Sequence, residues 1–246
     1  MHDTAFEIGR AFFSIYGVPG MAILDVGSQD VNGSLRNCAP PGSTYLGVDM
    51  SPGEGVDVTL QDSHKLPFED GRFDIIVSTS CLEHDPMFWL TFLEMARVTK
   101  SGGYIYINVP SNGDYHRFPT DNWRFYPDAG LALQTWANHA GQSVTLVESF
   151  VARRRKDSWN DTVLVFARGV ARPVGDFLCD AIPHAMNKRK PMEGDDVLNH
   201  FQTAEDQQLI NGLTKLVIEA HKRIAELEQT VQQHEAAMKT AGVARD

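Results

Sequence analysis

The sequence predicts an α/β protein built on a doubly wound sheet and followed by a helical C-terminal extension. Three observations carry that prediction. Short apolar runs break into glycine or acidic turns at Gly27, Asp49 and Gly102-Gly103, helical periodicity appears between such runs, and a different, seam-like apolar spacing begins only after residue 203.

Taken in order, residues 1–20 place Phe6, Ile8, Phe12, Phe13 and Tyr16 at mixed helical spacing before Gly17-Val-Pro19-Gly20, so a leading helix is expected. Ala22 to Val26 reads as a buried strand with one anomaly, Asp25. Gly27 and Gly33 then let the backbone turn tightly and approach a ligand, and Ser34-Leu-Arg36 is placed to open a helix. The G-x-G-x-x-G fingerprint of dinucleotide sites is absent, which favours a nucleoside or amino-acid ligand over a phosphate cradle. An ordinary strand-to-helix turn is the alternative.

The second strand, Thr44 to Val48, ends at Asp49, where an acid is placed to accept hydrogen bonds from both hydroxyls of a ribose. Gln61 to Phe68 follows, with Asp62 ahead of a Leu-Pro-Phe turn. Arg72 to Ser80 is another apolar strand, running out into Cys81-Leu-Glu83-His84-Asp85-Pro86. Pro86 to Val98 is the clearest helix, and its aromatics Phe88, Trp89 and Phe92 belong to a core. Gly102 to Pro110 is a strand after a Gly-Gly turn, and Val144 to Val151 and Thr162 to Ala167 are the sixth and seventh strands.

These motifs, in this order, resemble the class I S-adenosylmethionine-dependent methyltransferases, specifically their small methyltransferase-domain branch, over about Met21 to Gly169. The resemblance implies a Rossmann-like, seven-stranded doubly wound sheet and S-adenosylmethionine as cofactor. It implies that Asp25, Gly27 and Ser28 hold the methionine end, that Asp49 binds the ribose and that Asp62 with Ser63 contacts adenine. Ser80, Cys81, Glu83 and His84 would close over the methionine and face the acceptor. The sequence departs from the family's D-x-G-x-G pattern at Gln29, whose side chain either crowds the cofactor or points away while Asn32 and Gly33 supply the turn.

Bulk properties narrow the partners. A net charge of −10 over 246 residues argues against a general grip on nucleic acid, and the one basic run, Arg153-Arg-Arg-Lys156, reads as a solvated loop. Three widely spaced cysteines make neither a disulfide framework nor a metal pattern. Cys81 is read as a small lining residue or a buried apolar thiol. No run is long enough to cross a membrane and no cleavable leader is evident at the start, so a cytoplasmic location is expected.

Pro110 to Tyr126 is the most distinctive later segment. It follows a strand at the end where open α/β sheets bind substrates, and it concentrates His116, Tyr115, Arg117, Asp121, Trp123 and Arg124, side chains suited to a polar acceptor. Similar H-R-F-P-T-D-x-W-R-F segments occur in methyltransferases associated with bacterial glycan and secondary-metabolite pathways. Arg117 or Arg124 paired with Asp114 or Asp121 would instead knit the loop together, and both readings can hold, because a substrate loop must itself be rigid. Methyl transfer to a hydroxyl requires an aligned lone pair and a base, for which His116 and then His84 are the candidates; His84 with Asp85 can alternatively cap the helix near Pro86. Asp85, Asp114 and Asp121 could gather a divalent ion, but no spacing demands one, and no metal is assigned.

The expected organisation is a methyltransferase domain with its leading helix over residues 1–169, a linker or irregular wrap over 170–202, and a C-terminal helix over 203–240. In that helix Leu213, Val217, Ala220, Ile224, Leu227, Val231, His234 and Met238 alternate steps of four and three, the seam of a coiled coil that would make homo-oligomers. A single amphipathic helix packed on the domain is the alternative. The leading functional expectation is O-methylation of a sugar or other polar small molecule. N-methylation of an amino sugar or amine is a second, and a non-catalytic cofactor-binding or coiled-coil assembly protein, invited by Gln29, is a third.

Overall fold

Five parallel strands carry the first half of the chain: β1 (Ala22–Val26), β2 (Thr44–Asp49), β3 (Val58–Thr59), β4 (Phe73–Thr79) and β5 (Thr99–Pro110). The computed structural model describes residues 3–155, 159–169, 175–240 and 242, in two compact units divided between His200 and Phe201. In the first unit, β6 (Val144–Val151) and β7 (Asp161–Arg168) form an antiparallel hairpin with β7 against β5. The segment 170–202, expected as a linker or wrap, adds β8 (Met186–Arg189) and β9 (Val197–Leu198) beyond β6, although 170–174 lie outside the described residues. The sheet order is β3-β2-β1-β4-β5-β7-β6-β8-β9, nine strands where seven were expected. β1 to β7 supply those seven; the other two are too short and polar to be read from periodicity.

Strand alternation places two sets of side chains on opposite faces. Leu24, Ile76, Ile105 and Ile107 join Phe92 of α2 (Phe88–Val98) and Leu133 of α3 (Ala129–His139) in one core cluster. Ile23, Ile75, Val77, Tyr104 and Tyr106 join Ile8, Phe12 and Phe13 of α1 (Asp3–Tyr16) in the other. Each such side chain contributes about 1.5–3 kcal/mol by leaving water. The Tyr16 hydroxyl donates to the buried Glu148 carboxylate, which also accepts from the backbone N–H groups of Leu178 and Cys179 at the start of α4 (Leu178–Ala181).

The helix expected from Ser34 is a single 3-10 turn, Leu35–Cys38. Ser34 does cap it, accepting from Arg36 N at 3.2 Å, but Pro40 and Pro41 follow at once. A residue before proline is held out of the helical region, and proline lacks a donor, so the turn cannot propagate. α1 fills the place instead: a Cβ on its Gly9 would meet the Leu35 side chain at 2.3 Å, so the two elements are in close contact.

In the second unit α5 (Glu205–Thr240) is one helix of 36 residues, about 54 Å long at 1.5 Å per residue. Among the described residues of that unit nothing covers the seam that includes Leu213, Val217, Ile224 and Val231. Among the described residues no helix is long and apolar enough to cross a membrane.

Candidate active site

Sheet order reverses between β1 and β4, and parallel sheets bind ligands outside the C-terminal strand ends at such a switch point. A cavity of about 920 Å³ opens there, floored by Val26, Gly27, Asp49, Thr79, Ser80 and Pro110. Its volume lies within the ~300–1,000 Å³ that accommodates a small organic ligand. Ser80 ends β4 with φ +51°, a left-handed conformation that non-glycine residues seldom adopt and that gathers at ligand sites.

One end of the cavity is built by the β1 and β2 termini. Gly27 N and Ser28 N donate to Val48 O at 2.9 and 3.1 Å. The Asp49 carboxylate accepts from Gln29 N and Ser51 N, both at 3.2 Å, which fixes its orientation and leaves lone pairs facing the cavity. Gln29 lines the cavity while its side chain packs on Gly53, where an added Cβ would meet it at 2.7 Å. Gly27 has φ +82°, and a Cβ there would meet Cys81 Sγ at 2.4 Å, so the glycine makes room for a protein side chain as well as a turn. Burial pushes the Cys81 thiol well above its usual range, which fits a lining residue and not a nucleophile.

Three residues placed at the cofactor end by sequence do not line the cavity. Asp25 is buried on the α1 side of β1, where its carboxylate accepts from the Tyr45 hydroxyl at 2.7 Å. Burial raises it to about 6, against the lowering effect of that hydrogen bond. Ser28 is likewise buried, and Asp62 is exposed, accepting from His64 N in a local turn, so that only Ser63 of that pair reaches the cavity wall.

The other end concentrates polar groups. Glu83 is 1% exposed, and burial lifts its carboxyl to about 8; among the described residues its Oε2 has no hydrogen-bond partner. His84 Nε2 stands 3.7 Å from Glu83 Oε1, while His84 Nδ1 donates to Thr120 O at 2.5 Å. Burial lowers the His84 imidazole below its ordinary value, which keeps it neutral near pH 7. His84 does not cap α2, whose N-cap, Met87, makes no side-chain cap hydrogen bond; Asp85, just ahead of the helix, accepts from Met87 N at 2.8 Å and from the Thr91 hydroxyl.

The loop after β5 folds over these residues. Asn122 N and Trp123 N donate to Glu83 O, and Thr120 Oγ1 and Asn122 Nδ2 donate to His84 O, so the loop is stitched to the segment after β4. His116 is brought beside His84, ring centroids 4.9 Å apart at 82°. Its backbone N–H donates to Asp121 Oδ2 at 2.8 Å, and its Nδ1 faces the same oxygen at 3.5 Å. Arg124 pairs with both Asp121 oxygens, which holds that carboxyl down at about 2.

The six loop residues therefore divide. His116 and Arg117 line the cavity; Tyr115, Asp121, Trp123 and Arg124 do not. Tyr115 is 74% exposed, and Trp123 donates through Nε1 to Asp85 O and packs against Phe88. Expected as substrate contacts, Asp121, Trp123 and Arg124 are here engaged in holding the loop, with Arg124 and Asp121 forming its internal ion pair. Trp159, between β6 and β7, lines the cavity 4.5 Å from the His116 ring and was missed in the sequence. Its nearest signal was Gly113, where a Cβ would strike the indole at 2.1 Å. In the basic run, Arg155 pairs with Glu7, and Lys156 lies outside the described residues.

Parallel strands β1 to β5 with a cleft at their switch point, an acid on the second strand tip and a polar loop over the cleft define a ligand-binding α/β fold. The chain carries the class I S-adenosylmethionine-dependent methyltransferase fold, and residues 24–107 match the family described as "Methyltransferase domain". An uncharacterized methyltransferase of Mycobacterium leprae is 34% identical over 121 residues, covering 43% of this chain and 44% of the relative. The 2-methyl-6-phytyl-1,4-hydroquinone methyltransferase of Synechocystis is 28% identical over 185 residues, 64% of this chain and 57% of that protein. The chain thus spans about half the length of these curated relatives. The crystal structure of Burkholderia thailandensis 1,6-didemethyltoxoflavin-N1-methyltransferase, with bound 1,6-didemethyltoxoflavin and S-adenosylhomocysteine, superposes at a TM-score of 0.51 and 17% identity, covering 68% of this chain and 77% of that one.

Proposed function

We propose that this chain transfers a methyl group from S-adenosylmethionine to a hydroxyl of a sugar or other polar small molecule. One observation carries the reading: a single cavity joins Asp49 and Ser63 at one end to Glu83, His84 and His116 at the other. The residues present fit the cofactor. Asp49 offers carboxylate lone pairs for ribose hydroxyls, and Thr79 Oγ1, buried and without a partner among the described residues, offers a polar group at the strand end. S-adenosylmethionine supplies, when bound, an electrophilic sulfonium methyl group.

The protein's own work is alignment and proton removal. His116 presents Nε2 to the acceptor because Nδ1 faces Asp121, which Arg124 pins in turn. As the acceptor oxygen forms its bond to the methyl carbon, the bond from that carbon to sulfur breaks and the hydroxyl proton passes to His116 Nε2. Asp121 and Arg124 are positioning residues in this scheme, and Trp159 walls the base from water.

Calorimetry with S-adenosylhomocysteine tests the cofactor half, with wild-type binding and loss in Asp49→Ala expected. An acceptor screen scored by a mass gain of one methyl group tests the rest. Turnover of amines alone, undiminished in His116→Ala, would favour N-methylation; no binding of either cofactor form would sink both enzymatic readings.

The seam on α5 supports self-association of the chain through that helix. Light scattering on a chain ending at Thr203 tests this, and a mass per particle unchanged in subunit number would remove the idea.

A further inference from the structure

We propose that Glu83, His84 and His116 bind a divalent first-row transition-metal ion at the acceptor end of the cavity, leaving coordination positions open to oxygens of the acceptor. One donor atom from each residue falls within a set whose members all lie within 4.8 Å of one another. A metal shell with bonds near ~2.0–2.2 Å needs its ligand atoms within about 3–3.5 Å of one another, so the widest separation in the set shortens by at most roughly 1.3–1.8 Å to close on an ion.

Two independent features point to a cation there. The first is Glu83, almost fully buried with Oε2 unpartnered among the described residues; a buried carboxyl oxygen without a partner is costly unless a ligand completes it. The second is tautomer control. His84 Nδ1 donates to Thr120 O, and His116 Nδ1 faces Asp121 Oδ2 at 3.5 Å and Asp114 O at 3.4 Å. Both rings therefore carry their N–H at Nδ1 and present the Nε2 lone pair, and a carbonyl or carboxylate behind a histidine is the outer-shell arrangement found at metal centres. Glu83 Oε1 lies 3.7 Å from His84 Nε2, so these two groups already face one point. Two imidazoles with one carboxylate suit iron, cobalt, nickel or zinc better than magnesium or calcium.

The metal site stands on these contacts alone; what fills its open positions rests on the methyl-transfer reading. An acceptor hydroxyl bound to the ion loses its proton to water more readily than a free hydroxyl, so the ion would take over the task assigned above to the His116 ring. Three protein ligands leave room for two oxygens, which favours acceptors with a hydroxyl beside a second oxygen.

The test uses the untagged full chain, freed of metal with a chelator, dialysed and titrated with cobalt(II) alone. Visible d–d bands that saturate at one equivalent are expected. Glu83→Gln and His116→Ala should each weaken binding at least about 100-fold, while His139→Ala on the exposed surface of α3 should not change it. Thermal melts guard against misfolding of the buried Glu83 variant, and His116, on the loop, supplies a second substitution less tied to the core. Catechol added to the cobalt-loaded protein should shift the bands; unchanged bands overturn the open positions. Absence of one-equivalent binding, or binding indifferent to both variants, overturns the site. S-adenosylhomocysteine calorimetry on the same samples separates the outcomes, since the cofactor reading can hold where the metal fails and the reverse.

Discussion

Arg124 and Asp121 are joined by two parallel hydrogen bonds, Nη1 to Oδ1 at 2.6 Å and Nη2 to Oδ2 at 2.8 Å, with the Asp121 side chain only 1% exposed. The same guanidinium reaches Asn112 O and Asp114 O, so one side chain ties both limbs of the loop that carries His116. Arg124→Ala leaves a buried carboxylate without its partner and should cost on the order of 3 kcal/mol. Denaturant unfolding measures that loss, and Arg124→Lys, which cannot reproduce the fork, should recover only part of it. A variant as stable as wild type would show that the pair does not order the loop.

His116→Ala should lower kcat/KM by about 10²–10⁴ while leaving S-adenosylhomocysteine affinity within about twofold, because the ring stands at the acceptor end. Asp121→Asn should give a smaller loss, about tenfold, since the ring stays but its orientation is no longer held by a carboxylate. Steady-state kinetics beside calorimetry check both, and equal losses in rate and cofactor affinity would place His116 in the wrong half of the cavity.

Asp49→Ala should weaken cofactor binding at least about 100-fold, two charge-assisted hydrogen bonds being worth about 1.5–3 kcal/mol each. Asp49→Asn should lose less than Asp49→Ala, because its amide oxygen can still accept from one of Gln29 N and Ser51 N while its NH2 faces the other. Calorimetry distinguishes the two.

Cys81→Ala should retain activity within about threefold. Its thiol is buried and pushed up, so little thiolate exists near neutral pH, and its contact is with Gly27. Abolished turnover with unchanged cofactor binding would reveal a chemical role for the sulfur.

Asp25→Asn should stabilise the protein at pH 7.5. The folded carboxyl, raised to about 6 by burial, lies above its unfolded value of about 3.8, so ionised Asp25 opposes folding at high pH. That opposition is full above the folded value and fades as pH falls towards the unfolded one. The asparagine variant can keep the Tyr45 hydrogen bond, so a gain of about 1–3 kcal/mol at pH 7.5 should vanish near pH 4. Melting curves at the two pH values decide it, and an equal gain at both would assign the effect to packing.

Local patterns were legible before the fold was known. Strand runs, the α2 pattern and the α5 heptads are written in periodicities of two and three to four residues, and Asp49 was legible as the acid at a strand tip. Gly27 and Asp49, which floor one end of the cleft, follow from such local signals because each sits at a strand end, whereas Asp25, Ser28 and Asp62, read from the same kind of signal, do not line it. The short helix after Ser34 was misread because Ser34 has the right cap chemistry while the prolines that stop it lie at positions 40 and 41, beyond the first turn.

By itself, then, the sequence determined a doubly wound sheet, a binding edge and a separate long helix, since those depend on neighbours within a few positions. Tertiary structure alone decided which polar residues meet. Asp25 and Glu83 are both acids at strand ends in the sequence, yet burial beneath α1 sends one to Tyr45 and the lid loop brings the other to His84 and His116. Likewise His84 receives Thr120 from 36 positions away, and Trp159 reaches His116 only because the hairpin of β6 and β7 returns beside β5. Such meetings depend on the closing of long loops around a packed sheet, and no short-range pattern encodes them.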